Sequence, residues 1–132
     1  MVTEKKRFER VQVGSIVIRC FEYDETFAFW KAALGYEVEH ADPNDRFVIL
    51  RDPVGRGPNI SIDQAPVRRS GKRSWIHLDL YTTNQNSEVE RLIGLGAVRY
   101  PWRYGAEADY VVLEDPDGNL FCVVEVAEAY GA

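Results

Sequence analysis

One stretch of this 132-residue chain is written twice. Phe47-Val48-Ile49-Leu50-Arg51-Asp52-Pro53-Val54-Gly55 matches Tyr110-Val111-Val112-Leu113-Glu114-Asp115-Pro116-Asp117-Gly118. Five of the nine positions are identical and two more are exchanges of Phe for Tyr and Ile for Val. Pairing at ordinary residue frequencies would give roughly half an identity over that length. The copies lie 63 residues apart, and a second pair, Leu34-Gly35 and Leu95-Gly96, lies 61 apart. An internal repeat of this kind calls for two similar supersecondary units. The chain 1–132 therefore reads as a single domain built from a module over 8–66 and a module over 73–128, with the basic, Ser- and Gly-containing stretch 67–73 between them.

Both modules read in the same order. In the first, Ile16, Ile18 and Cys20 alternate with Ser15, Val17 and Arg19, the period of a strand over 13–20. Asp24 is placed to cap a helix that carries Phe27, Trp30 and Leu34 on one face and stops at Gly35. Strands are expected over 36–41, 46–51 and 59–64, the last two joined by a turn over 52–58 that Asp-Pro and the glycines force. In the second module a strand covers 75–81, and Ser87 with Glu90 forms a capping box for a helix ending before Gly96. Strands follow over 98–102, 109–113 and 119–126. The pattern is βαβββ twice, an α+β fold.

Charge and composition remove several classes of function. There are 21 acidic against 16 basic residues, a net charge of −5, and the bases are spread out apart from 5–7 and 68–73. An acidic domain without a basic stripe is a poor nucleic-acid binder. Apolar residues make up 45% and charged residues 28%, which excludes a disordered chain. No apolar run is long enough to span a bilayer, so no membrane partner is expected. The charged N-terminal stretch does not read as a signal peptide, which makes the cytoplasm the default location. Cys20 and Cys122 sit in apolar strand patterns and read as buried free thiols. Ser70 and Ser74 have no histidine near them in sequence, and Gly55-Arg56-Gly57 precedes no helix. Neither a serine triad nor a phosphate loop is indicated.

Two βαβββ modules, with Leu-Gly after each helix and Asp-Pro-x-Gly before each last strand, resemble the vicinal-oxygen-chelate superfamily. That group includes glyoxalase-like, bleomycin-resistance and extradiol-dioxygenase proteins. The resemblance spans about 120 residues. It is carried most by Trp75-Ile76-His77-Leu78-Asp79-Leu80 and by residues 111–125, and it is strongest toward small glyoxalase-like proteins of bacteria. It implies an open, cradle-like mixed sheet with helices outside and a small-molecule ligand in the cradle. It further implies a homodimer and, in some members, one divalent metal such as zinc, nickel, manganese or iron.

Strand period then sorts the side chains. Trp75, His77, Asp79 and Tyr81 share one side of their strand, opposite Ile76, Leu78 and Leu80. Phe121, Val123 and Glu125 alternate with Leu120, Cys122 and Val124, and the set containing Glu125 is expected in the cradle with Arg19 and Ser15. Metal-using members place ligands on the first strand and near the end of the last strand of each module. Those positions here are Ser15, Gln64, His77 and Glu125. Serine is a poor ligand, so the resemblance leaves His77, Glu125 and Gln64 as an open three-ligand set, beside a metal-free pocket as the other reading. In the catalytic reading Glu125 is the base for proton transfer next to a carbonyl, and His77, with or without a metal, stabilises the enolate, a lyase or isomerase chemistry. Asp79 and Arg19 make either an ion pair or a substrate clamp. Trp102 and Arg103, in the aromatic connector 100–109, are placed to cover the cradle mouth, with Phe121 inside it. His40 and the basic linker read as solvated. The alternative is a non-catalytic protein that sequesters a drug or metabolite, as bleomycin-resistance members do. Ser15 departs from the metal-dependent glyoxalases and argues against the methylglyoxal–glutathione reaction.

Overall fold

The computed structural model describes residues 10–68, 70 and 76–127. In the first module β1 (Ser15–Cys20) leads into α1 (Tyr23–Leu34), followed by β2 (Glu37–Asp42), β3 (Phe47–Arg51) and β4 (Asn59–Gln64). The second repeats the order with β5 (Leu78–Thr82), α2 (Gln85–Leu95), β6 (Val98–Arg99), β7 (Tyr110–Glu114) and β8 (Leu120–Glu125). Each module makes its own four-stranded sheet, ordered β1-β4-β3-β2 and β5-β8-β7-β6. The first strand of each module pairs parallel with the last, and the other pairs are antiparallel. This is the α+β, twice-βαβββ architecture with open sheets that the repeat requires. Among the described residues no helix is long and apolar enough to cross a membrane.

Both helices start earlier than expected, and each is capped from a distance. Asp24 lies inside the first turn of α1, where its carboxylate pairs with Arg46 at 3.1 Å. The cap comes instead from the repeated turn of the other module. The Asp117 carboxylate accepts from the N–H groups of Phe21 at 3.0 Å and Glu22 at 2.7 Å. An anion there satisfies open donors and meets the positive end of the helix dipole. The α2 capping box does not form, because the helix begins two residues before Ser87. Ser87 Oγ turns back to the Asn84 carbonyl, Glu90 pairs with Arg99, and the Gln85 N–H donates to Glu125 at 2.9 Å. Gly35 ends α1 at φ +67°, a left-handed turn that glycine adopts without steric cost.

The two modules share one hydrophobic core on their helix sides. The buried stripe of α1 is Tyr23, Thr26, Phe29, Trp30 and Ala33, and the expected Phe27 and Leu34 pack against the same core partly buried. Trp30 and Phe29 reach across to Phe121 of β8, with ring centroids 5.1 and 5.9 Å apart. A fully buried Phe contributes roughly 1.5–3 kcal/mol relative to exposure. Trp30 Nε1–H donates to Asp115 at 2.9 Å, and this carboxylate, 2% exposed, also accepts from the N–H groups of Asp117 and Asn119. The Arg91 guanidinium, held by Glu88, donates to the Ala33 carbonyl at 2.9 Å and ties α2 to α1. These contacts occupy the helix side of both sheets. The opposite faces, with Ser15, Val17 and Arg19 on β1 and Asp79 and Tyr81 on β5, therefore point away from the shared core.

Candidate functional site

The outer face of the second sheet holds a cavity of about 610 Å³. Strand alternation supplies its walls. Leu78 and Leu80 turn to the core, so Asp79 and Tyr81 of β5 turn to the cavity. β7 contributes Tyr110 and Val112, and β8 contributes Leu120, Cys122 and Val124. His77 enters just ahead of β5, and Trp102 arrives from the connector before β7. Trp102 Nε1–H donates to the Tyr110 hydroxyl at 3.1 Å, which fastens one aromatic to the other. The Tyr104 hydroxyl accepts from the Val112 N–H at 2.9 Å and holds the connector on β7.

The polar floor is compact. His77 Nε2 lies 3.1 Å from Asp79 Oδ1, with both side chains about half exposed. Asp79 and Cys122 are register partners on adjacent parallel strands and share a face. One donor atom each from His77, Asp79 and Cys122 lie within 4.8 Å of one another. Burial, and after it the Asp79 carboxylate, pushes the Cys122 thiol up to about 11, so the thiol is protonated near neutral pH.

The face expected for β8 is inverted. Phe121, 1% exposed, is packed under Trp30 in the core, and Glu125 accepts from the start of α2 instead of lining the cavity. Leu120 to Val124 is apolar on both faces, so alternation groups the residues without saying which group meets the helices. Cys122, expected with Leu120 and Val124 on the side away from the cradle, lines the cavity for this reason. Gln64 is also committed elsewhere. Its amide nitrogen donates to the carbonyls of Phe21 at 2.7 Å and Ala65 at 3.1 Å, and its oxygen accepts from Arg46 at 2.8 Å. Gln64 and Glu125 end β4 and β8, and each fastens the corner where its module's first strand enters its helix. Of the expected ligand set His77, Glu125 and Gln64, only His77 lines the cavity.

The remaining expected residues divide. Asp79, Tyr81 and Trp102 line the cavity. Arg19 lies on the outer face of β1, where its Nε meets Asp63 at 3.5 Å, while Asp79 meets His77. Arg19 and Asp79 are thus not paired within the chain. Arg103 is exposed, Ser15 Oγ lies 2.6 Å from Ser61 Oγ, and Trp75 falls outside the described residues. Ile76, expected on the greasy side, lines the cavity because β5 begins only at Leu78 and alternation does not reach it. Both cysteines are free thiols, Cys20 buried and Cys122 partly so.

The family model for a glyoxalase-like domain matches residues 15–124. Among solved structures, a manganese-bound variant of the fosfomycin resistance protein FosX from Listeria monocytogenes is 16% identical, with a TM-score of 0.68 over 92% of this chain and 94% of that one. A glyoxalase/bleomycin resistance protein/dioxygenase family enzyme from Burkholderia phytofirmans is 18% identical, with a TM-score of 0.67 over 88% and 99%. A glyoxalase-related enzyme from Fulvimarina pelagi is 14% identical, with a TM-score of 0.65 over 87% and 88%. No curated protein matches the sequence. At these identities the solved structures support the fold, and they leave ligand and reaction to the site itself.

Proposed function

This chain belongs to the glyoxalase-like family of the vicinal-oxygen-chelate superfamily, and from that premise we propose that it binds a small aromatic or carbonyl-bearing molecule in the second-module cavity. The observation that carries this reading is one polar floor, His77 with Asp79, under a wall of Tyr81, Trp102 and Tyr110. An apolar, aromatic concavity with few convergent polar groups is the usual form of a small-molecule site. A planar ligand would stack on the aromatic wall while its oxygen meets the imidazole.

His77, oriented by Asp79, is the group placed to take a proton from a carbon next to that carbonyl, a step of the lyase or isomerase type. Glu125 is not on this face and acts by holding α2. The superfamily's use of divalent metals raises the question of fit. His77, Asp79 and Cys122 offer one nitrogen, one oxygen and one sulfur in a compact cluster, a donor set that suits zinc better than manganese. Such an ion, when bound, supplies Lewis-acid polarisation of a carbonyl oxygen. The aromatic wall suits a second reading, retention of a drug or metabolite without turnover.

Titration of a panel of planar aryl ketones and aldehydes, followed by calorimetry, tests the proposal. Saturable binding at one site per chain is expected, weakened about tenfold or more, some 1.4 kcal/mol, by Trp102→Ala and by His77→Ala. Binding indifferent to both changes, or no binding across the panel, overturns it. Turnover lost in His77→Ala while binding persists in part would support proton transfer; binding with no turnover in the wild type supports retention.

A further inference from the structure

The fixed charges around the cavity are of one sign. Its lining includes two acidic residues, Asp79 of β5 and Asp109 just ahead of β7, and no lysine or arginine among the described residues. The two arginines expected to meet a ligand lie elsewhere. Arg19 contacts Asp63 on the first sheet, and Arg103, next to Trp102 in the chain, does not line the cavity. His77 is the one basic side chain in the lining, and its Nε2 is turned to Asp79 Oδ1 at 3.1 Å.

Three aromatic rings share this space, Tyr81 from β5, Tyr110 from β7 and Trp102 from the connector. The bond from Trp102 Nε1–H to the Tyr110 hydroxyl fixes two of them to each other, and Tyr104 packs beside Tyr110 with ring centroids 5.5 Å apart. Tyr81 keeps 56% of its surface in solvent and Trp102 38%, so both present surface to an incoming molecule. The rest of the lining is largely apolar, with Val112 at 3% exposure beside Leu120 and Val124. The negative face of an aromatic ring attracts a cation, most strongly where apolar surroundings displace water. Nearby carboxylates attract the same cation and repel an anion. A neutral ligand would use the aromatic wall and leave both acids without a counter-charge.

We propose that the ligand of this cavity is an organic cation, a quaternary or protonated amine joined to a flat ring, with the ring on the aromatic wall and the positive group beside Asp79 and Asp109. Such a molecule satisfies both parts of the lining, since its hydrocarbon covers Leu120 and Val124 while its charge meets the acids. The proposal rests on the reading of the cavity given above and narrows it to one charge class.

Three aryl ketones test the charge. Para-acetylphenyl-trimethylammonium, para-tert-butylacetophenone and para-acetylbenzoate share the acetylphenyl group and carry a cationic, a neutral and an anionic substituent. The first two have nearly the same shape. Each is titrated into the full chain by calorimetry with a chelator present, so that no divalent ion at His77, Asp79 and Cys122 supplies charge. The cation should bind about tenfold or more tighter than the neutral ketone, some 1.4 kcal/mol, and the carboxylate should bind most weakly. Asp79→Asn and Asp109→Asn keep the side-chain shape and remove the charge. Each should narrow the ratio between cation and neutral ketone about threefold or more, with circular dichroism confirming the fold. Equal binding of cation and neutral ketone, tighter binding of the carboxylate, or a cation preference that survives both substitutions together overturns the proposal and leaves the reading of the cavity standing. If none of the three ketones binds, that reading and the proposal fall together.

Discussion

At the scale of single residues, two cysteines illustrate how location sets chemistry. Cys20 is buried in the core, and burial pushes its thiol up to about 11 from 9.0. Because the folded value lies above the unfolded one, the native state holds this proton more tightly. The stability it contributes is fully present below pH 9 and is lost as pH rises through about 11. Urea midpoints measured at intervals between those values should fall in the wild type and fall less in Cys20→Ala; parallel declines would show that another group is responsible. Cys122 has a different neighbourhood, with Asp79 and His77 beside it. Cobalt(II) should bind with a thiolate-to-metal absorption band that disappears in Cys122→Ser and on removal of the ion by chelator. A cobalt complex lacking that band in the wild type would exclude Cys122 as a ligand. The sequence grouped Cys122 with its strand neighbours, yet the short-range pattern did not distinguish the cavity side from the core side.

Helices and strands are held at their ends by residues remote in sequence. The Asp117 carboxylate accepts from the two N–H groups immediately ahead of α1, those of Phe21 and Glu22. Asp117→Ala should cost about 0.5–2 kcal/mol. Hydrogen exchange should locate the loss in the first turn of α1 and leave α2 protected; uniform loss would contradict a local cap. Glu125 has the corresponding task at α2. Glu125→Gln retains an acceptor oxygen, so ligand affinity and any turnover should be unchanged, whereas abolished turnover would return Glu125 to the role of base. Neither cap was legible from local sequence. Asp24 and Ser87 have the right residue types at the right spacing, but acceptors remote in sequence, Asp117 in a turn and Glu125 at the end of β8, bond the N–H groups there instead. The terminators Gly35 and Gly96 were legible, because the left-handed turn that follows a helix is a local property of the chain.

For the molecule as a whole, the decisive feature is a core common to both modules. Phe121 sits at its centre against Phe29 and Trp30. Phe121→Ala should destabilise the protein by about 3–5 kcal/mol. Unfolding should remain a single transition by both tryptophan fluorescence and circular dichroism, since each module's helix face depends on the other. Two separated transitions, or a loss confined to the second sheet, would argue that the modules fold independently.

The sequence by itself determined the repeat, the βαβββ order, the glycine stops and the pairing of side chains by strand parity. All of these follow from turn chemistry and periodicity within a few residues. It also singled out His77, Asp79, Tyr81 and Trp102, which the structure gathers in one cavity. Tertiary structure alone decided which face of β8 meets the helices, and so that Cys122 and not Glu125 lines the cavity. That choice is made by the packing of Phe121 against residues about 90 positions away, a contact no local pattern contains. The same shared core turned the outer faces of the two sheets away from it, and among the described residues the cavity is lined by the second module.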